Sequence, residues 1–171
     1  MCIRDRYYIT PVSSFCLGAP LKVTSREYPE RPLVGVGGVV IAKNRVLLIR
    51  RGGPPLEGEW SIPGGMLELG EALRDGVRRE LQEETGLEVR VGDLIEAFER
   101  IMPDANGKWR YHFVILDYLC EAMSGVARAG SDVVDVAWAF EEELARFSLT
   151  PAAMRVIKRA FEMARSHGLK T

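Results

Sequence analysis

The stretch Arg79-Glu80-Leu81-Gln82-Glu83-Glu84-Thr85-Gly86-Leu87, close behind Pro63-Gly64-Gly65, constrains this chain more than any other part of it. Read as a helix, each residue advances about 100° around the axis. Leu73, Val77 and Leu81 then make an apolar stripe with Ala72, Gly76 and Leu87 on its flank, and Arg74, Asp75, Arg78, Gln82 and Thr85 take the side facing water. Glu80 and Glu84 fall inside the apolar arc, and Glu83 falls at its edge beside Gly76. Burying anions unpaired is costly. Like charges held that close also force one of them to keep a proton. A hard divalent cation such as Mg²⁺, which prefers carboxylate oxygen and water, resolves the conflict. The helix therefore predicts a metal site.

At 171 residues the chain is long enough for one domain with a sizeable core and short for two. The formal net charge of -1 gives no general pull toward nucleic acid or membrane, so a polyanionic ligand must be held by local design. No apolar run approaches the roughly 18 residues of a membrane span. The three cysteines, Cys2, Cys16 and Cys120, form no C-x-x-C pair and no disulfide framework, which suits a reducing, cytoplasmic setting. Cys120 reads as a small core residue. Residues 1–27 show no period that suits the domain, and the opening hexapeptide resembles adapter-derived sequence. They are set aside as a tail, leaving 28–171 as the domain.

Within that domain Leu33 to Ala42 reads as a buried strand, Lys43-Asn44 as a turn, and Arg45 to Arg50 as a returning strand. Gly52-Gly53-Pro54-Pro55 opens a loop, and Ser61 to Leu69 is a short extended piece. The helix is expected over Glu71 to Glu84, with Gly86 as its C-cap. Glu88 to Val91 and Leu94 to Ile101 read as two strands separated by a turn at Gly92-Asp93. Asn106-Gly107 marks a hairpin into Trp109 to Cys120. Val133 to Phe140 is a further strand, Glu141 to Phe147 a short helix, and Thr150-Pro151 caps a last helix closed by Gly168. That helix presents Ala153, Met154, Ile157, Ala160, Phe161 and Ala164 on one face. Strands interleaved with two long helices imply an α/β (α+β) fold, a mixed sheet covered on both faces.

Gly65-x5-Glu71-x7-Arg79-Glu80-Leu81-x-Glu83-Glu84-x-Gly86-Leu87 resembles a complete Nudix box, and Trp60-Ser-Ile-Pro63-Gly64-Gly65 resembles the family's lead-in to it. The order of elements from Leu33 to Gly168 is similar to the Nudix α/β/α sandwich. The resemblance implies Mg²⁺-dependent hydrolysis of a diphosphate bond in a nucleoside diphosphate joined to another group, with Mn²⁺ as a substitute ion. It implies Glu80 and Glu84 as primary metal ligands and the Gly65 carbonyl as a backbone ligand. Glu83 becomes a further ligand or the base that activates water. Glu71 and Arg79 become the pair that orients the ligands. The implied partner is a small nucleotide, and family members often form homodimers.

Several weaker signals surround the box. Arg50 and Arg51 end a strand where guanidinium groups can grip phosphate, although solvated arginines are equally common there. Asp132 is the better of two acids, with Asp135, for a further carboxylate near the metals, against a plain turn-forming role. Trp60 and Phe98 can stack on a base, but core packing suits both better. His112 reads as a hydrogen-bonded structural histidine. Pro103, sixteen residues beyond Leu87, resembles a mark of the ADP-ribose-cleaving branch. The alternatives are a MutT-like nucleoside triphosphate pyrophosphohydrolase and a non-catalytic nucleotide-binding Nudix module, which usually loses box glutamates that this chain retains.

Overall fold

The structure, a computed structural model, describes residues 26–54, 56–130 and 132–166. The strand β1 (Leu33–Ala42) turns into β2 (Arg45–Arg51) through Lys43 and Asn44, whose φ angles of 49° and 58° are the left-handed pair that a two-residue hairpin requires. β1 is the hub of the sheet. Through Gly35–Gly37 it pairs antiparallel with β4 (Gly64–Met66), at Ile41–Ala42 with β2, and along Leu33–Val40 it runs parallel to β6 (Trp109–Ser124). β5 (Glu88–Pro103) pairs antiparallel with β6 and lies at the sheet edge, while β3 (Trp60–Ser61) and β7 (Val133–Phe140) pair with β2.

β5 is one strand rather than the two expected. The ladder shifts register between Val91 and Leu94, so Gly92-Asp93 bulges without breaking the strand. The Asn106-Gly107 hairpin forms as expected. Its loop is held by Asp104, whose carboxylate accepts from the Asn106 and Lys108 backbone N–H groups at 2.9 Å.

Side chains alternate across β1, and each face meets a helix. Val36 and Val40 pack with Leu47 against Val77 and Leu81 of α1 (Leu73–Thr85). Val39 and Ile41 pack with Leu48 against Val156, Ile157, Ala160 and Phe161 of α2 (Pro151–Ser166). The result is the expected sandwich, a mixed sheet between helices. α1 starts at Leu73, two residues later than expected, and ends on Gly86, whose φ of 70° lets its N–H reach the Gln82 carbonyl. α2 is capped as read, with Thr150 Oγ1 accepting from the Ala153 N–H at 3.2 Å, and Val156 joins its buried face. The Gly168 end lies outside the described residues. Glu141–Arg146 is a 3₁₀ turn. Among the described residues no helix is long and apolar enough to cross a membrane.

Two positions depart from the helical wheel and the tail boundary. Thr85, placed on the watery side, is fully buried. The loop after β6 covers the end of α1, with Arg128 N–H donating to the Thr85 carbonyl and Gly130 N–H to the Glu84 carbonyl, each at 3.0 Å. Thr85 Oγ1 is satisfied by donating to the Leu81 carbonyl at 2.5 Å. Glu27 belongs with the domain, because its carboxylate accepts from Arg110 at 2.8 Å and from Tyr111 Oη at 2.6 Å.

Phe161 is the largest side chain fully enclosed under the sheet. Phe161→Ala should lower unfolding free energy by about 3–5 kcal/mol in equilibrium urea denaturation. Thr150→Ala, which removes only a cap, should cost about 1 kcal/mol. Equal losses would mean that α2 is held by its cap and not by its buried face.

Candidate functional site: a carboxylate helix over a glycine strand

The pairing of Val36 with Gly65 and Gly37 with Gly64 lays β4 beside the middle of the sheet, directly under the acidic face of α1. Glu84 is only 5% exposed, and its Oε2 accepts from the Gly64 N–H at 2.7 Å. At Gly65 helix and strand approach so closely that a Cβ would overlap the Glu80 carboxylate. Any larger residue there would displace the Glu80 carboxylate from its place over the strand.

Electrostatics divide the three glutamates. Burial raises the Glu84 carboxyl to about 8; the Gly64 N–H opposes the rise, Glu80 and Asp132 add to it, and Arg51 opposes it. Burial also raises Glu80, against the opposing Arg79 guanidinium. Glu83 keeps about half its side chain in solvent, at 51%. Arg79 anchors the group. Its Nε and Nη2 donate to the two oxygens of Glu71 at 2.9 Å, Nη1 donates to Glu80 at 2.8 Å and to Glu83 at 3.3 Å, and Nη2 also reaches the Met66 carbonyl at 3.0 Å. This bidentate pair, with the Glu68 N–H, holds the Glu71 carboxyl down to about 2.

The expected convergence of three carboxylates is incomplete. Among the described residues no three acidic, histidine or cysteine side chains come together in a ready metal-ligating group. Arg79 draws Glu80 and Glu83 toward itself, whereas Glu84 turns to Gly64. The chemistry nevertheless fits a hard cation. Glu84 and Glu80 are oxygen donors whose pKa values are raised chiefly by burial, with Glu80 adding to the rise at Glu84.

A cleft opens beside Gly64 and Gly65. Arg51 lines it, and its Nε is buried without a hydrogen-bond partner among the described residues. Arg100, Arg26, Phe98 and Asp117 line it too. Arg26 lies before the expected start of the domain at residue 28, yet its charge lowers the Glu80 pKa. Arg50 does not reach the cleft; it is exposed and its Nε donates to the Gly58 carbonyl at 3.1 Å. Asp132 is exposed, close enough to Glu84 to raise its pKa, and its carbonyl accepts from Gly52 N–H at 2.8 Å. Asp135 turns back on its own strand, accepting from the Val136 N–H.

Trp60 packs edge-on against Phe147 with ring centroids 5.0 Å apart, while Phe98 serves both the core and the cleft. His112 pairs with Ile101 and Pro103 with Trp109, and neither lines the cleft. Cys120 is buried, its thiol pushed up to about 12, as a core residue should be. Arg100 and Asp117 went unnoticed in the sequence. Each sits in a strand at a position that only the pairing of β5, β6 and β1 turns toward the cleft.

The family model described as NUDIX domain matches residues 31–160. The chain belongs to the Nudix family. It is 34% identical over 101 residues to an ADP-ribose pyrophosphatase of Methanocaldococcus jannaschii, an alignment covering 59% of this chain and 57% of that protein. It therefore spans little more than half the length of that relative. It is 33% identical to a MutT-like protein of Streptomyces ambofaciens over 82% of this chain and 83% of the relative. Among solved structures, a MutT NUDIX hydrolase from Burkholderia pseudomallei superposes with a TM-score of 0.67 at 30% identity, covering 76% of this Nudix chain and 98% of the other.

The raised pKa of Glu84 has a consequence for stability. A carboxyl that ionises at about 8 when folded and at about 4.5 when unfolded binds more protons in the native state between those values, so stability falls as pH rises through that window. In metal-free buffer, Glu84→Gln should melt higher than the unsubstituted protein at pH 8.5, and the difference should shrink toward pH 4. A difference independent of pH would show that Glu84 does not titrate abnormally.

Proposed function

We propose that this Nudix protein hydrolyses, with Mg²⁺ or in its place Mn²⁺, the diphosphate linkage of a nucleoside diphosphate joined to another group, ADP-ribose or a related nucleotide sugar being the preferred class. The observation that carries this reading is the position of two water-deprived carboxylates, Glu80 and Glu84, against Gly65 and Gly64 at the wall of a cleft lined by Arg51, whose buried Nε has no partner among the described residues. Glu80, Glu84 and the Gly65 carbonyl would hold the metal. Once bound there, the ion would supply charge neutralisation and a water of lowered pKa.

The remaining work falls to the chain's own side chains. Arg51, with Arg100 beside it, is suited to grip the phosphate oxygens that the carboxylates would otherwise repel. Glu83, the most solvated of the three box glutamates, is best able to accept a proton from water. Glu71 and Arg79 fix the carboxylate of Glu80, and Asp132 adds negative charge at the Glu84 side. The name of the Methanocaldococcus relative favours ADP-ribose. A MutT-like action on nucleoside triphosphates is the second reading, favoured by the Streptomyces relative that matches along most of its length. Cys120, a buried free thiol, suits a reducing cytoplasm.

Phosphate release from a panel of ADP-ribose, nucleotide sugars, dinucleoside polyphosphates and oxidised nucleoside triphosphates, with a coupled phosphatase and Mg²⁺, tests the reading. Fastest cleavage of ADP-ribose is expected; preference for triphosphates would transfer the protein to the MutT-like action. Silence on all substrates would leave a nucleotide-binding module. Glu84→Gln should lower turnover by orders of magnitude with an unchanged circular dichroism spectrum, and near-full activity would remove Glu84 from the metal site. Arg79→Ala should weaken the Mg²⁺ dependence or rate about 10- to 100-fold. An unchanged Mg²⁺ titration would reduce Arg79 to a surface residue.

A further inference from the structure

The cleft continues past Gly64 and Gly65 onto the face of the sheet that looks toward α2. Phe113, Ile115 and Asp117 of β6 alternate onto that face. Their partners are Arg100, Phe98 and Glu96 on β5, and Leu33, Gly35 and Gly37 on β1. The two glycines leave one side of this floor without side chains, and a Cβ on Gly37 would collide with Asp117 Oδ1. The row Phe113, Ile115, Leu119 is apolar, and Asp117 interrupts it.

Asp117 is 4% exposed and lines the cleft. Among the described residues no group donates a hydrogen bond to its carboxylate. The nearby cations are engaged elsewhere: Arg155 and Arg159 with Glu96 at 2.6 and 3.7 Å, and Arg100 with Thr150 Oγ1 at 3.5 Å. Burial, with Glu96 adding and Arg100 opposing, pushes the carboxyl up to about 7. A buried carboxyl without a donor destabilises the fold it sits in. Its position on the floor of an open cleft makes sense where a ligand completes its hydrogen bonds.

The ligand that fits is flat, apolar on its faces and polar at its edge. The phenyl rings of Phe98 and Phe113 and the side chain of Ile115 offer apolar walls, and the carboxyl offers the edge partner. We infer that Asp117 reads the exocyclic amino group of the nucleobase, and is therefore a specificity-determining residue of this cleft. A neutral carboxyl donates to a ring nitrogen and accepts from the amino group beside it; an ionised one accepts from the amino group and from a ring N–H. The amino group is common to both pairings. An unsubstituted purine, with hydrogen where adenine carries the amino group, loses that bond and gains no other. The inference rests on the nucleotide reading given above, but its test does not require turnover.

Calorimetric binding of ADP and of purine riboside 5′-diphosphate to the full chain with Mg²⁺ decides it, since the two ligands differ only in the amino group of the base. ADP should bind about 10- to 100-fold more tightly than purine riboside 5′-diphosphate, the range expected for a hydrogen bond to a charged or strongly polar partner. Asp117→Leu, with a melting temperature showing that it folds, should abolish the difference. Asp117→Asn, whose amide still accepts from the amino group, should retain much of it. With an adenine-bearing substrate, the loss in Asp117→Leu should fall on KM and not on kcat. Equal binding of ADP and purine riboside 5′-diphosphate by the unsubstituted protein would overturn the inference. So would an undiminished ratio in Asp117→Leu, or an equal loss for both ligands, which is the mark of a packing role. If no diphosphate is hydrolysed but the ratio still depends on Asp117, the hydrolytic reading falls and this one stands.

Discussion

The hydrogen bond from the Gly64 N–H to the Glu84 carboxylate joins the acidic helix to the strand beneath it, and the site depends on that join. It exists because β4 lies against Gly35–Gly37 of β1, so that Gly64 and Gly65, which carry no side chains, meet the helical face that carries Glu80 and Glu84. Val77 and Leu81 press the same helix onto Val36 and Val40, so the burial of Glu84 follows from core packing two turns of side chains wide. Hydrophobic contact thus drives a carboxylate out of water, and a single backbone donor only partly offsets the cost.

Charge is then distributed unevenly. Arg79 takes Glu71 by both oxygens and touches Glu80 and Glu83, which fixes the outer side of the group. Among the described residues no comparable cation is bonded to Glu84, and Arg51 acts on it only at a distance. The inner side of the site is therefore the part most in need of positive charge, and it faces the cleft through Gly64 and Gly65. A divalent cation and a phosphate gripped by Arg51 and Arg100 would satisfy opposite halves of that imbalance.

Local pattern made much of this legible. The helical wheel put Glu80 and Glu84 inside the apolar arc and Glu83 at its edge, and in the structure Glu84 and Glu80 are mostly removed from water while Glu83 is half exposed. Lys43-Asn44 and Thr150-Pro151 declared a turn and a cap by their own chemistry. What stayed hidden depends on residues far apart in the chain. Thr85 is buried by the loop around Arg128, Arg26 joins the cleft from outside the expected domain, and Asp117 gains its setting from Gly37, eighty residues earlier. Arg50 and Arg51 look alike in sequence. Strand alternation sends Arg51 to the cleft and Arg50 to the surface.

The central claim is that buried glutamates on α1 are a cation site held short of its charge. Calorimetric titration of Mg²⁺ into the protein at pH 7, repeated in buffers of different ionisation enthalpy, counts the protons released on binding. A carboxyl that ionises at about 8 must surrender its proton to the metal, so release should approach one proton per site at pH 7 and disappear by pH 10. Mg²⁺ binding without proton release, or proton release unchanged in Glu84→Gln, would contradict the account.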